Sequence, residues 1–463
     1  MSPAVGVFRR PAFARRSARL ALALIVVAAL LALGPRLVAQ TAGAPHVVLI
    51  SIDGLKPVAY TAAGPSKVPT LRALARRGAW AEGVTGVLPT YTYPSHTSIV
   101  TGVTPAVHGI YNNRVLDPEQ TSNGSFYWYA RDIKVPTLAS ALKSRDLTTA
   151  AVSWPVTVDA DIDYLSPEFA GVTRHPMWLN MFRALAKPRH LLDTYESTLD
   201  KPLAWPWSDE IRTDLAAWIF RTYKPHLLML HIFATDEAQH ANGPGSPEAL
   251  AAIERADANV KRMLDAIEAT DLRDRTDVVV VSDHGFLPIA QQLQLNYAFK
   301  QAGLITTDAA GRISRWDAYF YPAGGTGFVV LRNPDDAGVL QRVTAIARQV
   351  AGDPANGVEA VLTRDDLRTL GADPRASLAL TMKEGFATGL AHDVLLARTS
   401  ERGAHGFLPS NPELRSSLIM AGPHVGTPGN LGVVRMTQIA PTIAGWFEVA
   451  LAAQADRALA LPK

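Results

Sequence analysis

The 463-residue chain contains no cysteine. That one absence excludes disulfides, thiolate metal ligands and a lipidated N-terminal cysteine together. Any bound metal must therefore be held by nitrogen and oxygen. Charge is scarce as well: Asp, Glu, Lys and Arg make up 19% of the residues against 48% hydrophobic, which is too apolar for a disordered chain and ordinary for a folded enzyme. The formal charge is only +3, and several of the arginines behind it lie before residue 20. The remainder forms no basic platform, so a nucleic-acid polymer is not an expected partner. The chain also lacks an internal repeat, a low-complexity tract outside its Ala-rich ends, and an uninterrupted apolar run of the roughly 20 residues that span a bilayer comfortably.

The longest apolar run, Leu20 to Leu33, follows Arg9, Arg10, Arg15, Arg16 and Arg19 and precedes the small residues Ala42 and Ala44. A charged segment, a short apolar segment and an A-x-A-like site are the layout of an export signal. Residues 1–44 are thus expected to be a signal peptide or an uncleaved N-terminal anchor, and the catalytic body to be periplasmic or secreted. Membrane contact is expected only through that anchor.

A chain of this length can hold one large domain with insertions or two domains. The mature part opens with HVVLISIDG, a β-branched run that ends in Asp53. HLLMLHIFATDEAQH runs apolar from Leu227 towards Asp236, and DVVVVSDHG runs apolar from Val278 to Asp283 and His284. These read as buried strands of a parallel sheet. Between them PTLRALARRG and PEALAAIERADANVKRMLDAIEA carry apolar residues at helical spacing. The alternation implies an α/β fold, a three-layer α/β/α sandwich with a largely parallel central sheet. The expected organisation is a catalytic core over 45–298 with an aromatic-rich insertion at about 155–226, an inserted cap over 299–398, and a return to the core over 399–463.

In such sheets ligands bind at the carboxyl ends of the strands. Asp53, Asp236 and Asp283 would then meet at one edge. Asp236 and His240 are four apart, on one face of a helical turn, while Asp283 and His284 are adjacent at a strand end. With His405 from RGAHGFLP they make a set of carboxylates and imidazoles that suits zinc or a similar divalent ion. His96 and His108 flank a further segment of interest, and His46, His175, His190, His226, His231, His392 and His424 are read as structural or surface residues. That segment is VLPTYTYPSHTSIVTGVTPAVHGIYNNR. Thr92 two residues before Pro94 marks the first turn of a helix, where free amides and the helix dipole attract phosphate. The same hydroxyl also fits a simple helix cap.

Together, the elements S-I-D-G, T-Y-P-S-H, T-G-x-x-P-x-x-H-G-I, D-x-x-x-H, S-D-H-G and G-A-H-G resemble, in order, the nucleotide pyrophosphatase/phosphodiesterase branch of the alkaline phosphatase superfamily. The resemblance covers His46 to Asn113, Leu227 to Gly285 and Arg402 to about Thr442. It implies an alkaline phosphatase-like fold and two divalent metal ions, zinc in the first place. Asp53, Thr92, Asp283 and His284 would hold one ion, and Asp236, His240 and His405 the other. It further implies that Thr92 is a nucleophile forming a phospho-threonine intermediate, and that Asn113 contacts a non-bridging phosphate oxygen. The implied substrates are small phosphate diesters or pyrophosphates of nucleotide type. Monoester-specific relatives hold that non-bridging oxygen with an arginine, which has no clear counterpart here, and sulfatases use a C-x-P-S-R loop that is absent.

Candidate substrate contacts are Arg114 and the aromatic run Phe126, Tyr127, Trp128 and Tyr129, whose rings either stack on a flat group or pack the core. Two other enzymes of the superfamily remain as alternatives, a phosphonate hydrolase acting on phosphonoacetate-type substrates and a phosphomonoesterase. From a different class, an exported binding protein that has lost the chemistry is the third.

Overall fold

The computed structural model describes residues 43–61, 64–119, 121, 125–169, 178–203, 206–452 and 455–462. The leader from Arg9 to Ala42, and His175, lie outside them. Among the described residues no helix is long and apolar enough to cross a membrane.

The central sheet has eight strands: β1 (His46–Ile52), β2 (Ala79–Trp80), β3 (Thr149–Val152), β4 (Tyr164–Ser166), β5 (Leu227–Ile232), β6 (Thr276–Val281), β7 (Leu418–Ala421) and β8 (Gly429–Asn430). Their order is β8-β2-β7-β6-β1-β5-β3-β4. β1 pairs in parallel with both β5 and β6, and β3 in parallel with β5 and β4. Only β7 runs against its neighbours. The expected largely parallel α/β sheet is therefore present. Every residue of β1, β5 and β6 is buried, which is why these strands are continuous apolar runs without polar alternation.

Helices cover both faces. Val48, Ile50 and Ile52 of β1 share one hydrophobic cluster with α1 (Pro69–Arg77), α3 (Asp209–Tyr223) and α5 (Pro247–Glu268). Successive strand side chains point to opposite faces, so Ser51 faces the other layer. There it meets α2 (Thr92–Thr101), whose His96 Nε2 lies 2.8 Å from Ser51 Oγ. Between α3 and α5 in sequence, α4 (Ala234–Asn242) begins directly after β5. Residues 299–398, the expected cap, contain an antiparallel four-stranded sheet (Ala318–Ala323, Thr326–Leu331, Ala376–Met382, Val358–Thr363) and the helix Ala337–Gly352. These share a second hydrophobic cluster with the strand Leu287–Leu293 and with Phe407.

Candidate active site

The parallel strands deliver their C-terminal residues to one edge. Asp53 follows β1, Asp236 lies on α4 just beyond β5, and Asp283 and His284 follow β6. His405 arrives from a distant part of the chain because the short strand Gly403–Ala404 pairs antiparallel with Leu287 and Pro288, just past His284. The His284 and His405 rings stack at 3.5 Å, nearly parallel. Gly54 makes the turn after β1: its φ is +66°, and a Cβ there would meet the Phe286 ring at 2.6 Å.

Two groupings emerge. His284 Nε2 stands 3.3 Å from Asp53 Oδ1, 3.2 Å from Asp283 Oδ2 and 3.5 Å from Thr92 Oγ1. Asp236 Oδ1 stands 3.4 Å from His240 Nε2 and 3.5 Å from His405 Nε2. The groups adjoin, since ligand atoms of Asp53, Asp236 and His284 also lie within 4.8 Å of one another.

The orientation of each ring is set from behind. Nδ1 of His240, His405 and His284 lies 2.8, 3.1 and 3.2 Å from the carbonyls of Gly403, Thr90 and Gly285. A carbonyl only accepts, so each Nδ1 carries the proton, and in the neutral ring Nε2 presents a lone pair to the carboxylates. The carboxylates are arranged in a complementary way. Asp283 Oδ1 accepts from the amides of Gly54 and His284, and Asp53 Oδ2 is held by His231 Nε2 at 3.1 Å. Asp53 Oδ1, Asp283 Oδ2 and Asp236 Oδ1 are buried without any hydrogen-bond donor. Buried carboxylate oxygens and imidazole nitrogens that face one another with no donor assigned between them fit a divalent cation, and the nitrogen and oxygen ligands suit zinc.

Electrostatics report the same crowding. Burial, reinforced by Asp283 and Asp236, holds the Asp53 carboxyl well above its ordinary range. Burial pushes Asp283 up to about 7. Burial also drives His284 well below its usual value, aided by His405 and His240, and His405 down to about 4. At Asp236 burial acts upward but is outweighed by His240 and His405, so its carboxyl is lowered. At His240 burial acts downward but Asp236 prevails, raising the ring to about 9.

Thr92 is the first residue of α2, after the extended Tyr91. The cap position is occupied by Tyr91, which makes no side-chain cap bond, so the Thr92 hydroxyl is not spent on capping. The whole helix is buried, and its N-terminus opens onto the acid and histidine cluster. Asn113 Oδ1 accepts from the Tyr93 amide at 2.8 Å. That contact assigns oxygen and nitrogen of the side chain and leaves Nδ2 as a donor. Asn113 and Arg114 line a cleft of about 540 Å³ together with Phe126, His240, Tyr321 and His405. The Arg114 guanidinium lies 4.5 Å over the Phe126 ring.

Other candidate residues fall elsewhere. Tyr127 is buried in a cluster with Tyr93, Ile110 and Val156, and Trp128 packs on Phe169 at 4.4 Å. Neither lines the cleft; Phe126 does. His108 is buried against Ser98 Oγ at 3.0 Å and takes no part in the cluster. His231, read as structural from sequence, lies against Asp53, with Glu168 on its other side. A lone polar residue within the apolar run LLMLHI, five before Asp236, is the signal that marked it. Glu168 carried none.

A family model described as "Type I phosphodiesterase / nucleotide pyrophosphatase" matches residues 47–406. Human ectonucleotide pyrophosphatase/phosphodiesterase family member 1 is 25% identical over 251 residues, 52% of this chain and 23% of that protein. A venom phosphodiesterase from Macrovipera lebetinus is 23% identical over 253 residues, 53% of this chain and 26% of that one. The chain thus spans about a quarter of the length of these curated relatives. Among solved structures, human ectonucleotide pyrophosphatase/phosphodiesterase 5 is similar with a TM-score of 0.64 at 17% identity, covering 89% of this chain and 97% of that one. Its murine counterpart, solved in complex with AMP, is similar with a TM-score of 0.61 at 15% identity, covering 89% and 96%.

Proposed function

Because the chain belongs to the type I phosphodiesterase / nucleotide pyrophosphatase family, we propose that it is an exported phosphohydrolase that cleaves small phosphate diesters or pyrophosphates of nucleotide type through Thr92. The observation that carries this reading is the meeting of Thr92 with six Asp and His side chains whose buried carboxylate oxygens lack donors. Asp53, Thr92, Asp283 and His284 would hold one divalent cation, and Asp236, His240 and His405 a second, zinc in the first place. When bound, such ions neutralise phosphate charge and lower the pKa of hydroxyl and water ligands.

The chain's own residues account for the rest. The substrate phosphate lies at the N-terminus of α2, where the helix dipole and unpaired amides favour an anion. Asn113 Nδ2 donates to a non-bridging oxygen. Thr92 Oγ1 gives its proton to solvent and attacks phosphorus in line, so that a bond to threonine forms as the bond to the leaving alcohol or phosphate breaks, with the leaving group protonated from solvent. Water then attacks the phospho-threonine, releasing the phosphate product and restoring the hydroxyl. The group departing first occupies the 540 Å³ cleft beside Arg114 and Phe126, and residues 299–398 serve as its lid.

Export is supported by the relatives' naming as ectonucleotide enzymes and by the leader layout of residues 1–44, and the AMP complex of one structural relative supports a nucleotide-type substrate. The decisive experiment compares kcat/KM of zinc-loaded protein for a nitrophenyl ester of a nucleotide and for the corresponding monoester, alongside metal content. Two ions per chain, faster diester cleavage and loss on chelation are expected. An active, metal-free preparation would end this reading.

A further inference from the structure

His231 occupies the fifth position of β5, in register with Ser51 of β1, and is 1% exposed. Packing alone asks for an apolar side chain there, since burying a polar one costs free energy that only good partners recover. Both ring nitrogens are engaged. Nε2 lies 3.1 Å from Asp53 Oδ2, while Nδ1 lies 2.9 Å from Glu168 Oε2 and 3.2 Å from the Ser153 carbonyl. Glu168 in turn accepts at Oε1 from the Tyr93 hydroxyl at 3.0 Å, and the Tyr93 amide donates to Asn113 Oδ1 at 2.8 Å.

Hydrogen bonds therefore link Asp53, His231, Glu168 and the Tyr93 hydroxyl, and the covalent frame of Tyr93 carries the connection on to its amide and Asn113. The two ends of that connection belong to the candidate active site, and its middle belongs to no proposed ligand set. An Asp carboxylate turns easily about its last torsion, which is broad and roughly two-fold. Pinning Oδ2 on His231 removes that freedom and leaves Oδ1, the oxygen without a donor, facing His284 Nε2 at 3.3 Å.

We propose that His231 is a positioning residue that holds Asp53 with Oδ1 presented to the cation of the Thr92 group, and that Glu168 holds His231 and ties the same constraint to Tyr93 and Asn113. The inference rests on the two-metal reading above and adds to it two residues outside its ligand sets. Partners of this kind behind a metal ligand typically contribute roughly 10- to 100-fold in metal affinity.

The test is zinc titration of the metal-stripped full chain against a chromophoric chelator, with thermal melts, for wild type, His231→Ala, His231→Gln and Glu168→Gln. Wild type is expected to bind two ions. His231→Ala should keep one at wild-type affinity, through Asp236, His240 and His405, and hold the other about 10- to 100-fold more weakly. His231→Gln, whose amide can still donate to Asp53 Oδ2, should recover part of the loss. Glu168→Gln, equal in volume and without a charge, should weaken the same single ion by a smaller factor and reports even where the alanine variant fails to fold. Variants that melt earlier yet bind both ions as wild type does would overturn the positioning role and leave His231 as core packing. Wild type that binds no ion would instead overturn the two-metal reading itself.

Discussion

At Thr92 the geometry separates two roles open to a threonine at a helix start. The residue stands inside the helix, with Tyr91 at the cap and its own hydroxyl turned to His284. Thr92→Ala should therefore abolish turnover with little change in stability, about 1 kcal/mol, because the lost methyl is offset by the better helix propensity of alanine. Thr92→Ser should retain partial turnover, and single-turnover kinetics with a chromogenic diester measure both. Asn113 invites a sharper substitution. In Asn113→Asp the oxygen that accepts from the Tyr93 amide is kept while the donor aimed at phosphate becomes a second anionic oxygen, so kcat should fall by about 100- to 1,000-fold, the usual cost of losing one donor to a developing charge. The same kinetics decide the substrate class, since a neutral amide suits the single charge of a diester and an arginine the double charge of a monoester. A monoester preference that survives Asn113→Ala and disappears in Arg114→Ala would transfer the phosphate contact to Arg114.

Among the elements, α4 shows how the helix proposed to carry two metal ligands is aimed. Its first amides are not capped from within: Asp209, on α3, accepts from Ala234 N at 2.9 Å and Phe233 N at 3.3 Å. Arg212, one turn further along α3, lies 3.7 Å from the Asp209 carboxylate and 3.9 Å over the Phe233 ring. Two helices are thereby locked at the point where Asp236 and His240 leave the sheet. Asp209→Ala leaves two part-buried amides without a partner, which should cost about 1–3 kcal/mol. The loss should appear in urea denaturation, and with it weaker zinc binding by the Asp236 group, since the helix that carries two of its three ligands is no longer fixed.

At the scale of the whole molecule, two buried histidines outside the candidate site contribute stability that is lost in acid. Burial pushes His46 down to about 4 and His108 down to about 3. The Ile110 amide donates to His108 Nδ1 at 3.1 Å, so protonation there would set a hydrogen against a donor. Both folded values lie below the ordinary unfolded value near 6.5. Below that pH the unfolded chain binds more protons than the folded one, so stability is complete above about 6.5 and falls as the pH drops, through about 4 for His46 and about 3 for His108. Buried His96 acts in the same direction, whereas Asp283, pushed up to about 7, and His240, raised to about 9, act in the opposite one, because there the folded state binds more protons than the unfolded chain. Denaturant melts between pH 7 and pH 4 should show this contribution as a difference: His108→Asn, which keeps an acceptor near Ile110, should lose less stability on acidification than wild type.

Much of this protein was legible in one dimension. The strands before Asp53 and before Asp283 are fully buried, and burial on both faces forces a short continuous apolar run, whose length and β-branched content separate it from a buried helix segment. Parallel pairing then obliges their last residues to share an edge, which is why the acid and histidine set could be read without coordinates. The i, i+4 spacing of Asp236 and His240 settled their common face for the same local reason. Long-range side-chain contacts leave no such period. Glu168 and Asp53 are 115 positions apart in sequence, in the segments that follow β4 and β1, and are linked through His231 on β5. Tyr127 and Phe126 are neighbours with the same propensities, yet one is buried behind Tyr93 and the other faces the cleft, a choice made by the packing of the loop that carries them. Local pattern decides which element a residue joins and which side of it the residue occupies, whereas the partner of a buried polar group is decided by whichever distant segment the completed fold brings within about 3 Å of it.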